Sequence, residues 1–184
     1  MDQTKYIMEK LKLFKKLFPI VTIVFLLAQT GLKAQDSNVR PCSEDPNFQQ
    51  FDFWLGTWDV KGHEGQEYGH NTIEAILDGC VLLENWTGAK SSKGKSFNFY
   101  DRHSGKWIQR WVDNSGGNLD LKGDIVNGAA VFLGKSKNRK GEDIHNRLTI
   151  KKASEKKVFQ IWEQSKDSIS WQKVFDAVYH KTSK

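Results

Sequence analysis

The chain has 184 residues, among them 28 Lys or Arg, 22 Asp or Glu, seven Trp and two Cys. Its length fits one domain with a sizeable core, and its composition, 38% hydrophobic and 27% charged, excludes a disordered or membrane-embedded chain. Two Cys are too few for a small disulfide-built scaffold or for a four-Cys zinc site.

The first 34 residues resemble a secretory signal peptide. Five lysines precede a twelve-residue apolar run, Leu17–Ala28, and a polar stretch follows it. A membrane-spanning helix needs about 20 apolar residues, so this run is too short to remain in a bilayer as a span. We predict that 1–34 is a secretory signal peptide, that the protein is exported to the periplasm or secreted, and that no stable membrane span is left. A retained amphipathic anchor is the alternative.

Most of the net charge belongs to this segment. Residues 1–34 hold six basic and two acidic residues, so their removal lowers the formal net charge from +6 to +2. Nucleic-acid binding needs a concentrated basic surface, and the two basic clusters that remain, 135–140 and 151–157, fall at predicted turns. We therefore predict no nucleic-acid partner and place these lysines in solvent.

Export also decides how the two cysteines are interpreted. An oxidising compartment favours pairing, so we predict a disulfide between Cys42 and Cys80. The bond would close a loop of nearly forty residues and stabilise the fold by about 2–4 kcal/mol. It would tie an N-terminal strap, residues 35–47, to the start of a strand, which is a structural role and not a redox role.

From residue 57 onward, short β-rich segments alternate with turn signals such as Asp78-Gly79 and Asn127-Gly128. About ten strands in a small domain usually close on themselves, which removes exposed edges. We predict an all-β domain over 48–182, folded as an antiparallel up-and-down barrel of about ten strands. A two-sheet sandwich is the alternative. The predicted strands are 57–63, 68–77, 80–88, 95–102, 106–113, 118–126, 129–136, 144–152, 157–165 and 169–180.

The most distinctive local pattern is the segment 51–58, whose sequence is FDFWLGTW. Phe48, Phe51 and Trp54 share a helical face, so we expect a short helical turn before the first strand. Gly56-Thr57-Trp58 matches the Gly-x-Trp pattern of barrels in which the Trp packs across the closed end and the Gly allows a tight start to the strand.

With this opening, the chain resembles a bacterial exported family of calycin-type, lipocalin-like β-barrels of unknown function. The resemblance implies a lipocalin-like fold with a central cavity, and it implies no established activity. Other calycins carry fatty acids or haem, which is an analogy only. Further segments that match the family in the same order are 71–73, 79–86, 96–101, 106–113, 147–149, 160–163 and 175–179.

Four predicted strands repeat one arrangement, in which a polar acceptor stands two residues before an aromatic on the same face. Flat aromatic faces beside amides suit a ligand with hydroxyls and C–H faces, such as a sugar. The alternative is that some of these Trp pack outside or close the barrel and that the amides are ordinary pairing residues. The pairs are Glu84-x-Trp86, Asn98-x-Tyr100, Gln109-x-Trp111 and Gln160-x-Trp162, with Trp171-x-Lys173 on a fifth strand.

Two cations are candidates for holding an anionic ligand. Arg147 shares a strand face with His145 and Thr149, and an inward guanidinium would bind a carboxylate bidentately, which fits an acidic sugar. The alternative pairs Arg147 with a core acid such as Glu84. Lys173 is the second candidate, with a solvent-facing position as its alternative. The ligand contacts predicted from both patterns are Glu84, Trp86, Asn98, Gln109, Trp111, Arg147, Gln160, Trp162 and Lys173.

For acid–base catalysis we predict His70, Tyr100 and His145, with Glu84 as a further candidate. A Tyr or His base opposite an Arg-bound carboxylate suits the elimination of water or an alcohol beside a uronate carboxylate. The alternative for each His is a surface or structural role. Since no His-x-His, His-Glu-x-x-His or Cys-x-x-Cys pattern occurs, we predict no metal and no cofactor.

Three functions therefore stay open. The first is an exported barrel that binds an acidic carbohydrate-like ligand and, if it is an enzyme, acts as a metal-independent carbon–oxygen lyase, a dehydratase. The second is a non-catalytic carrier of a small apolar ligand or haem. The third is an envelope interaction module whose interior is a packed core. The polarity of the interior discriminates between them. The sequence makes no prediction of the oligomeric state.

Overall fold

The computed structural model describes residues 42–182, and the predicted signal peptide 1–34 lies outside this range. Helix α1 (Pro46–Gln49) and a turn of 3-10 helix (Asp52–Trp54) precede the strands, so the predicted helical turn is present. The strands that follow are β1 (Gly56–Lys61), β2 (Glu67–Ile76), β3 (Val81–Gly88), β4 (Lys93–Asp101), β5 (Lys106–Asp113), β6 (Asn118–Val126), β7 (Ala129–Lys137), β8 (Asp143–Ser154), β9 (Lys157–Ser165) and β10 (Gln172–Lys181).

These ten strands form one closed antiparallel barrel. Each strand pairs with its neighbours in sequence, and β1 pairs with β10, so that Trp58 lies opposite Lys181 and Val60 opposite Tyr179. This topology confirms the predicted up-and-down barrel over the two-sheet sandwich. Closure pairs both of the strands that would otherwise be edges, which removes the exposed backbone groups of an open sheet.

The loop between β9 and β10 differs from the prediction. The predicted strands 157–165 and 169–180 leave a connection of only three residues between them. Instead the Asp167 carboxylate accepts hydrogen bonds from the backbone N–H groups of Ile169 and Ser170, at 2.8 and 2.7 Å. An aspartate that binds its own loop in this way stabilises an irregular connection, and β10 accordingly begins at Gln172.

The N-terminal segment closes one end of the barrel with aromatic side chains. Phe51 is fully buried, and its ring stacks on Trp54 at 4.9 Å and meets Trp107 edge-on at 5.4 Å. Trp58 of the Gly-x-Trp pattern donates its indole N–H to the Trp54 carbonyl at 2.9 Å. The first helical turns and the first strand are thus held together across this end.

The predicted disulfide is present and lies at the same end. Cys42 and Cys80 are bonded, with their Cα atoms 4.9 Å apart and a sequence separation of 38 residues. Cys80 stands in the loop between β2 and β3, directly before β3 begins. The bond therefore ties the N-terminal segment to the barrel at the end that Phe51 closes.

The apolar core fills the half of the barrel next to this closed end, because successive side chains on each strand alternate between interior and exterior. Within residues 42–182, no helix is long and apolar enough to cross a membrane. The core side chains are Phe51, Trp54, Trp58, Val60, Ile73, Leu82, Trp107, Leu121, Ile125, Ala130, Phe132, Leu148, Ile150, Val158, Ala177 and Tyr179.

Candidate functional site

A cavity occupies the other half of the barrel and opens at the end opposite Phe51. Its volume is about 640 Å³, within the range of about 300–1,000 Å³ that is common for small-molecule sites. Its mouth is lined by Ser91 and Ser92 of the β3–β4 loop and by Asn114, Ser115 and Gly117 of the β5–β6 loop. The interior is therefore not a packed core throughout, whereas the interaction-module hypothesis expects a filled interior.

Four aromatic rings form the wall of this cavity: Trp86 on β3, Trp111 on β5, Trp162 on β9 and Phe175 on β10. Phe175 meets the Trp86 ring edge-on at 6.1 Å. The Trp111 ring lies against β4 at Gly94, where a Cβ would overlap the indole. Glycine at that position lets the ring lie flat against the neighbouring strand.

The N–H edges of two of these rings are held at the mouth. Trp86 Nε1 donates to Ser92 Oγ at 3.3 Å, and Trp111 Nε1 donates to Asp113 Oδ2 at 3.4 Å. Buried or half-buried indoles usually satisfy their N–H in this way. The polar edge of each ring is thereby engaged, and its apolar surface lines the cavity.

A chain of buried hydrogen bonds crosses four strands below the aromatic wall. Asn71 Nδ2 donates to Glu84 Oε1 at 2.7 Å, and Ser96 Oγ donates to Glu84 Oε2 at 2.6 Å. Asn98 Nδ2 donates to Ser96 Oγ at 2.8 Å, and Gln109 Nε2 donates to Asn98 Oδ1 at 2.8 Å. Of these five side chains, Glu84 and Gln109 line the cavity. We call this group the floor network.

Glu84 is the carboxyl group of the floor network and is only 4% exposed. Burial raises the pKa of its carboxyl, and the hydrogen bonds from Ser96 and Asn71 oppose this rise. Burial and the nearby Glu84 carboxylate also raise the pKa of Tyr179 well above its ordinary value, against the Asn71 side chain. Both groups line the cavity, so its floor contains two titratable groups whose charged forms are disfavoured by burial.

A second polar group is centred on Asn146 of β8, which is fully buried. Asn146 Nδ2 donates to Ser136 Oγ at 2.9 Å, while its Oδ1 accepts from Trp162 Nε1 at 3.0 Å and from Gln164 Nε2 at 3.1 Å. Ser136, Trp162 and Gln164 all line the cavity. Asn146 therefore positions one aromatic ring and two polar side chains of the wall.

Two buried oxygens in this half of the barrel accept no hydrogen bond from the residues at 42–182: Asn71 Oδ1 and Gln160 Oε1. A buried polar atom without a partner costs about 1–3 kcal/mol. Asn71 belongs to the floor network, and Gln160 lines the cavity. Gln160 Oε1, which borders the cavity, is therefore an acceptor at which a ligand that donates a hydrogen bond would be stabilised.

The structure brings together six of the predicted ligand contacts, which line the cavity, and places a seventh, Asn98, in the floor network beneath them. The six are Glu84, Trp86, Gln109, Trp111, Gln160 and Trp162. Tyr100 also points inward but lies at the closed end, 5.5 Å from the Phe48 ring and 6.2 Å from the Trp107 ring. Tyr100 therefore does not line the cavity, contrary to the expectation that it would act there.

Arg147 points outward, which corrects the expectation of an inward guanidinium. Its Nε donates to Glu163 Oε2 at 2.7 Å, and its guanidinium lies over the Trp171 ring at 4.2 Å from the centroid. The reason is the alternation along β8, where the apolar Leu148 and Ile150 take the interior positions. Its partner is thus Glu163 on the outer face and not Glu84.

The other predicted cation and both histidines also lie outside. His70 Nδ1 is 2.8 Å from Asp59 Oδ1, and the His70 side chain is 59% exposed. His145 shares the outward face of β8 with Arg147. Lys173 Nζ donates to Asp176 Oδ2 at 2.7 Å. The pairing of β10 with β9 shifts register directly after Lys173. None of these side chains lines the cavity.

The predicted pattern, an amide two residues before an aromatic, does not detect several polar side chains of the cavity half. Asn146 lies on the same face as Ile144, Leu148 and Ile150, and this apolar period is the signal that would have placed it inside. Ser136 and Gln164 occur near strand ends, where no such period distinguishes them. The missed residues are Asn71, Ser96, Ser136, Asn146, Gln164 and Tyr179.

No protein-family model matches the chain, and a search of curated proteins finds no match either. Within 42–182, no group of three or more His, Cys, Asp or Glu side chains is arranged to hold a metal ion. The function is therefore inferred from the geometry and chemistry of the cavity.

Proposed function

We propose that the protein is an exported β-barrel that binds a small carbohydrate-like ligand in its open cavity. The observation that carries the proposal is the lining: the rings of Trp86, Trp111 and Trp162 stand beside the polar side chains of Gln109 and Gln160 around about 640 Å³. Aromatic rings pack on the C–H faces of a sugar, and amides both donate and accept hydrogen bonds to its hydroxyls.

The same lining argues against the carrier hypothesis. A fatty-acid cavity has mainly aliphatic walls. Among the described residues that line this cavity, the aliphatic ones are Leu119, Leu121 and Leu148, and the others are mostly polar or aromatic. Haem is most often held by an axial His, Met, Cys or Tyr, and within 42–182 the cavity lining contains no His, Met or Cys and only one Tyr, the deeply buried Tyr179.

The proposal covers binding and leaves elimination chemistry as an alternative. His70 and His145 lie on the outer face and Tyr100 at the closed end, so the predicted bases do not reach the cavity. Glu84 and Tyr179 are the titratable groups of its floor. An elimination reaction would therefore use these two groups and not the predicted ones.

Export and family membership belong to the same proposal. The Cys42–Cys80 disulfide supports an oxidising compartment. A closed barrel with aromatic side chains across one end and a cavity at the other is what the resemblance to calycin-type barrels implies for the fold. We propose on these grounds that residues 1–34 direct export and that the chain is a calycin-type barrel.

The proposal is tested by thermal denaturation of the purified protein with neutral, acidic and amino oligosaccharides, fatty acids and haem. A ligand at a hundred times its Kd stabilises the fold by about 2.7 kcal/mol, so we expect a rise in Tm with oligosaccharides. Trp111→Leu is expected to abolish the rise, while Trp171→Leu on the outer face keeps it. A rise with fatty acid or haem alone would contradict the proposal. Loss of one water from the recovered sugar would show elimination instead.

A further inference from the structure

The carboxyl and amide oxygens around the cavity floor have unused capacity to accept hydrogen bonds. Each Glu84 oxygen accepts one hydrogen bond, from Asn71 or from Ser96, and a carboxylate oxygen has room for a second. Gln160 Oε1 and Asn71 Oδ1 are buried and accept none within 42–182. A ligand that reaches the floor is therefore favoured in proportion to the donors that it brings.

Four of the donors around the cavity, in contrast, are already engaged. The indole N–H groups of Trp86, Trp111 and Trp162 bind Ser92, Asp113 and Asn146 respectively, and Gln109 Nε2 binds Asn98. A ligand carboxylate at the floor would meet these occupied donors and the Glu84 carboxyl. Two carboxyl groups that share a buried site disfavour each other's charged forms.

The cations near the cavity do not neutralise the floor. Within 42–182, the Glu84 carboxyl is hydrogen-bonded to Asn71 and Ser96 and forms no ion pair with a Lys, Arg or His. Lys93 and Lys137 line the cavity only at its mouth, and Lys137 Nζ already pairs with Asp143 at 2.7 Å. The site thus holds a buried carboxyl without a cation of the protein beside it.

The aromatic wall favours the same kind of ligand. The faces of Trp, Tyr and Phe rings carry negative electrostatic potential and attract cations, most strongly where water is excluded. Trp86, Trp111, Trp162, Phe175 and Tyr179 surround the space above Glu84. A carboxyl group at the bottom of an aromatic enclosure is the arrangement that binds an ammonium group by charge, hydrogen bond and ring face together.

We propose that the cavity takes an amino sugar whose protonated amine donates hydrogen bonds to Glu84. The inference rests on the proposed function, which accounts for the sugar. The amine is inferred from the hydrogen-bond acceptors of the floor. It reverses the charge that the sequence predicts for the ligand, since the acidic ligand depended on Arg147 pointing inward.

The test is a calorimetric titration of the purified protein near neutral pH with four probes. Three are matched trisaccharides: of glucosamine, which carries amines; of N-acetylglucosamine, which is neutral; and of galacturonic acid, which is acidic. The fourth is benzylamine, a protonated amine without a sugar. We expect the glucosamine trisaccharide to bind most tightly and the galacturonic acid trisaccharide most weakly.

Glu84→Gln identifies the group responsible. It is expected to weaken the binding of the glucosamine trisaccharide by about 10- to 100-fold, which is the contribution of one charge-assisted hydrogen bond to affinity. The N-acetylglucosamine trisaccharide is expected to change by less than about threefold, because it has no charge to lose. Glu74→Gln is the matched control, since Glu74 is an exposed carboxylate on β2, and it is expected to leave both affinities unchanged.

The outcomes separate the two proposals. Equal or tighter binding of the neutral or acidic trisaccharide would overturn the amine while leaving the sugar-binding function, and so would an equal loss of both sugars in Glu84→Gln. Binding of benzylamine with no trisaccharide bound would overturn the sugar-binding function and keep the amine. The comparison of probes on the wild-type protein requires no variant to fold.

Discussion

The two ends of the barrel are built from the same strands but from different side chains. At the closed end, Phe51, Trp54, Trp107 and Phe132 are buried against one another, and the Phe51 ring contacts each of the other three. At the open end, inward-facing strand positions carry amides and a carboxyl beside Trp rings around a cavity. The chain thus has an apolar and a polar interior within one domain.

Under the proposed function, the closed end supplies stability and the open end binds the ligand. Burying apolar side chains stabilises the fold by about 1.5–3 kcal/mol each, whereas buried polar groups contribute little even when they are paired. The floor network is therefore not explained by stability, particularly since its Asn71 Oδ1 accepts no hydrogen bond within 42–182. Gln160 Oε1, which lines the cavity outside this network, accepts none there either. Such groups are typical of sites at which function is retained at a cost in stability.

The largest effect is expected from a matched pair of truncations at the two ends. Phe51→Ala is expected to lower the free energy of unfolding by about 3–5 kcal/mol, because it leaves a cavity in a fully packed region. Phe175→Ala is expected to cost about 1–2 kcal/mol, because this half-buried ring already borders open space. Urea denaturation of both variants measures the difference. Equal losses in the free energy of unfolding would contradict the assignment of stability to the closed end.

The disulfide tests the same distinction by another route. Replacing both Cys42 and Cys80 with Ser is expected to lower the free energy of unfolding by about 2–4 kcal/mol, through the freedom that the unfolded chain regains. Since the bond lies at the closed end, the affinity of the cavity for its ligand is expected to stay unchanged in the folded variant. Calorimetric titration below its Tm measures this, and a weakened affinity would show that the two ends are coupled.

Glu84→Gln is expected to stabilise the protein at neutral pH while it weakens binding. Folding raises the pKa of Glu84, so the stability linked to its protonated form is fully present below the ordinary pKa and is lost as pH rises through the raised one. The gain from the variant is about 1.4 kcal/mol for each pH unit between the two pKa values.

Urea denaturation over a pH series is the measurement. The free energy of unfolding of Glu84→Gln is expected to exceed that of the wild type by an increasing margin as pH rises from the acid range. The free energy of unfolding of the control variant Glu74→Gln is expected to change with pH in the same way as that of the wild type. A constant difference between Glu84→Gln and the wild type would mean that the carboxyl is not destabilised by burial.

The smallest effect is expected on the outer face. Arg147→Met removes a half-exposed ion pair with Glu163, and surface pairs contribute about 0–1 kcal/mol. The variant is expected to leave ligand affinity within about twofold, because surface substitutions away from a site usually change free energies by less than about 0.5 kcal/mol. Calorimetric titration with the glucosamine and galacturonic acid trisaccharides measures this. Loss of acidic-sugar binding would show that Arg147 contributes to the binding site.

The sequence predicts the fold well because hairpin turns and the two-residue period are local signals. Asn127-Gly128 adopts positive φ at both residues, 52° and 71°, as a two-residue hairpin requires, and the adjoining strands begin or end there. The loop before Gln172 was missed because its shape depends on hydrogen bonds to the Asp167 carboxylate, which a dipeptide pattern does not encode.

The sequence predicts the interior position of cavity residues where an aromatic side chain marks the interior face of the strand. It does not do so where the prediction depends on a charged side chain. Gln109 and Gln160 were placed correctly through Trp111 and Trp162 two residues later. Arg147 was placed on the wrong face, although the apolar residues beside it at even positions indicate that odd positions face outward. An apolar period is the stronger signal, because an uncompensated buried charge costs far more than an exposed one.

The central claim is that the ligand binds at the open end only, and the seven Trp of the chain test it directly. Their indole N–H resonances can be followed by NMR while the glucosamine trisaccharide is added. The account predicts shifts for Trp86, Trp111 and Trp162 and none for the other four, which lie at the closed end or on the outer face. Those four are Trp54, Trp58, Trp107 and Trp171. Shifts confined to these four, or no shift at saturating sugar, would contradict it.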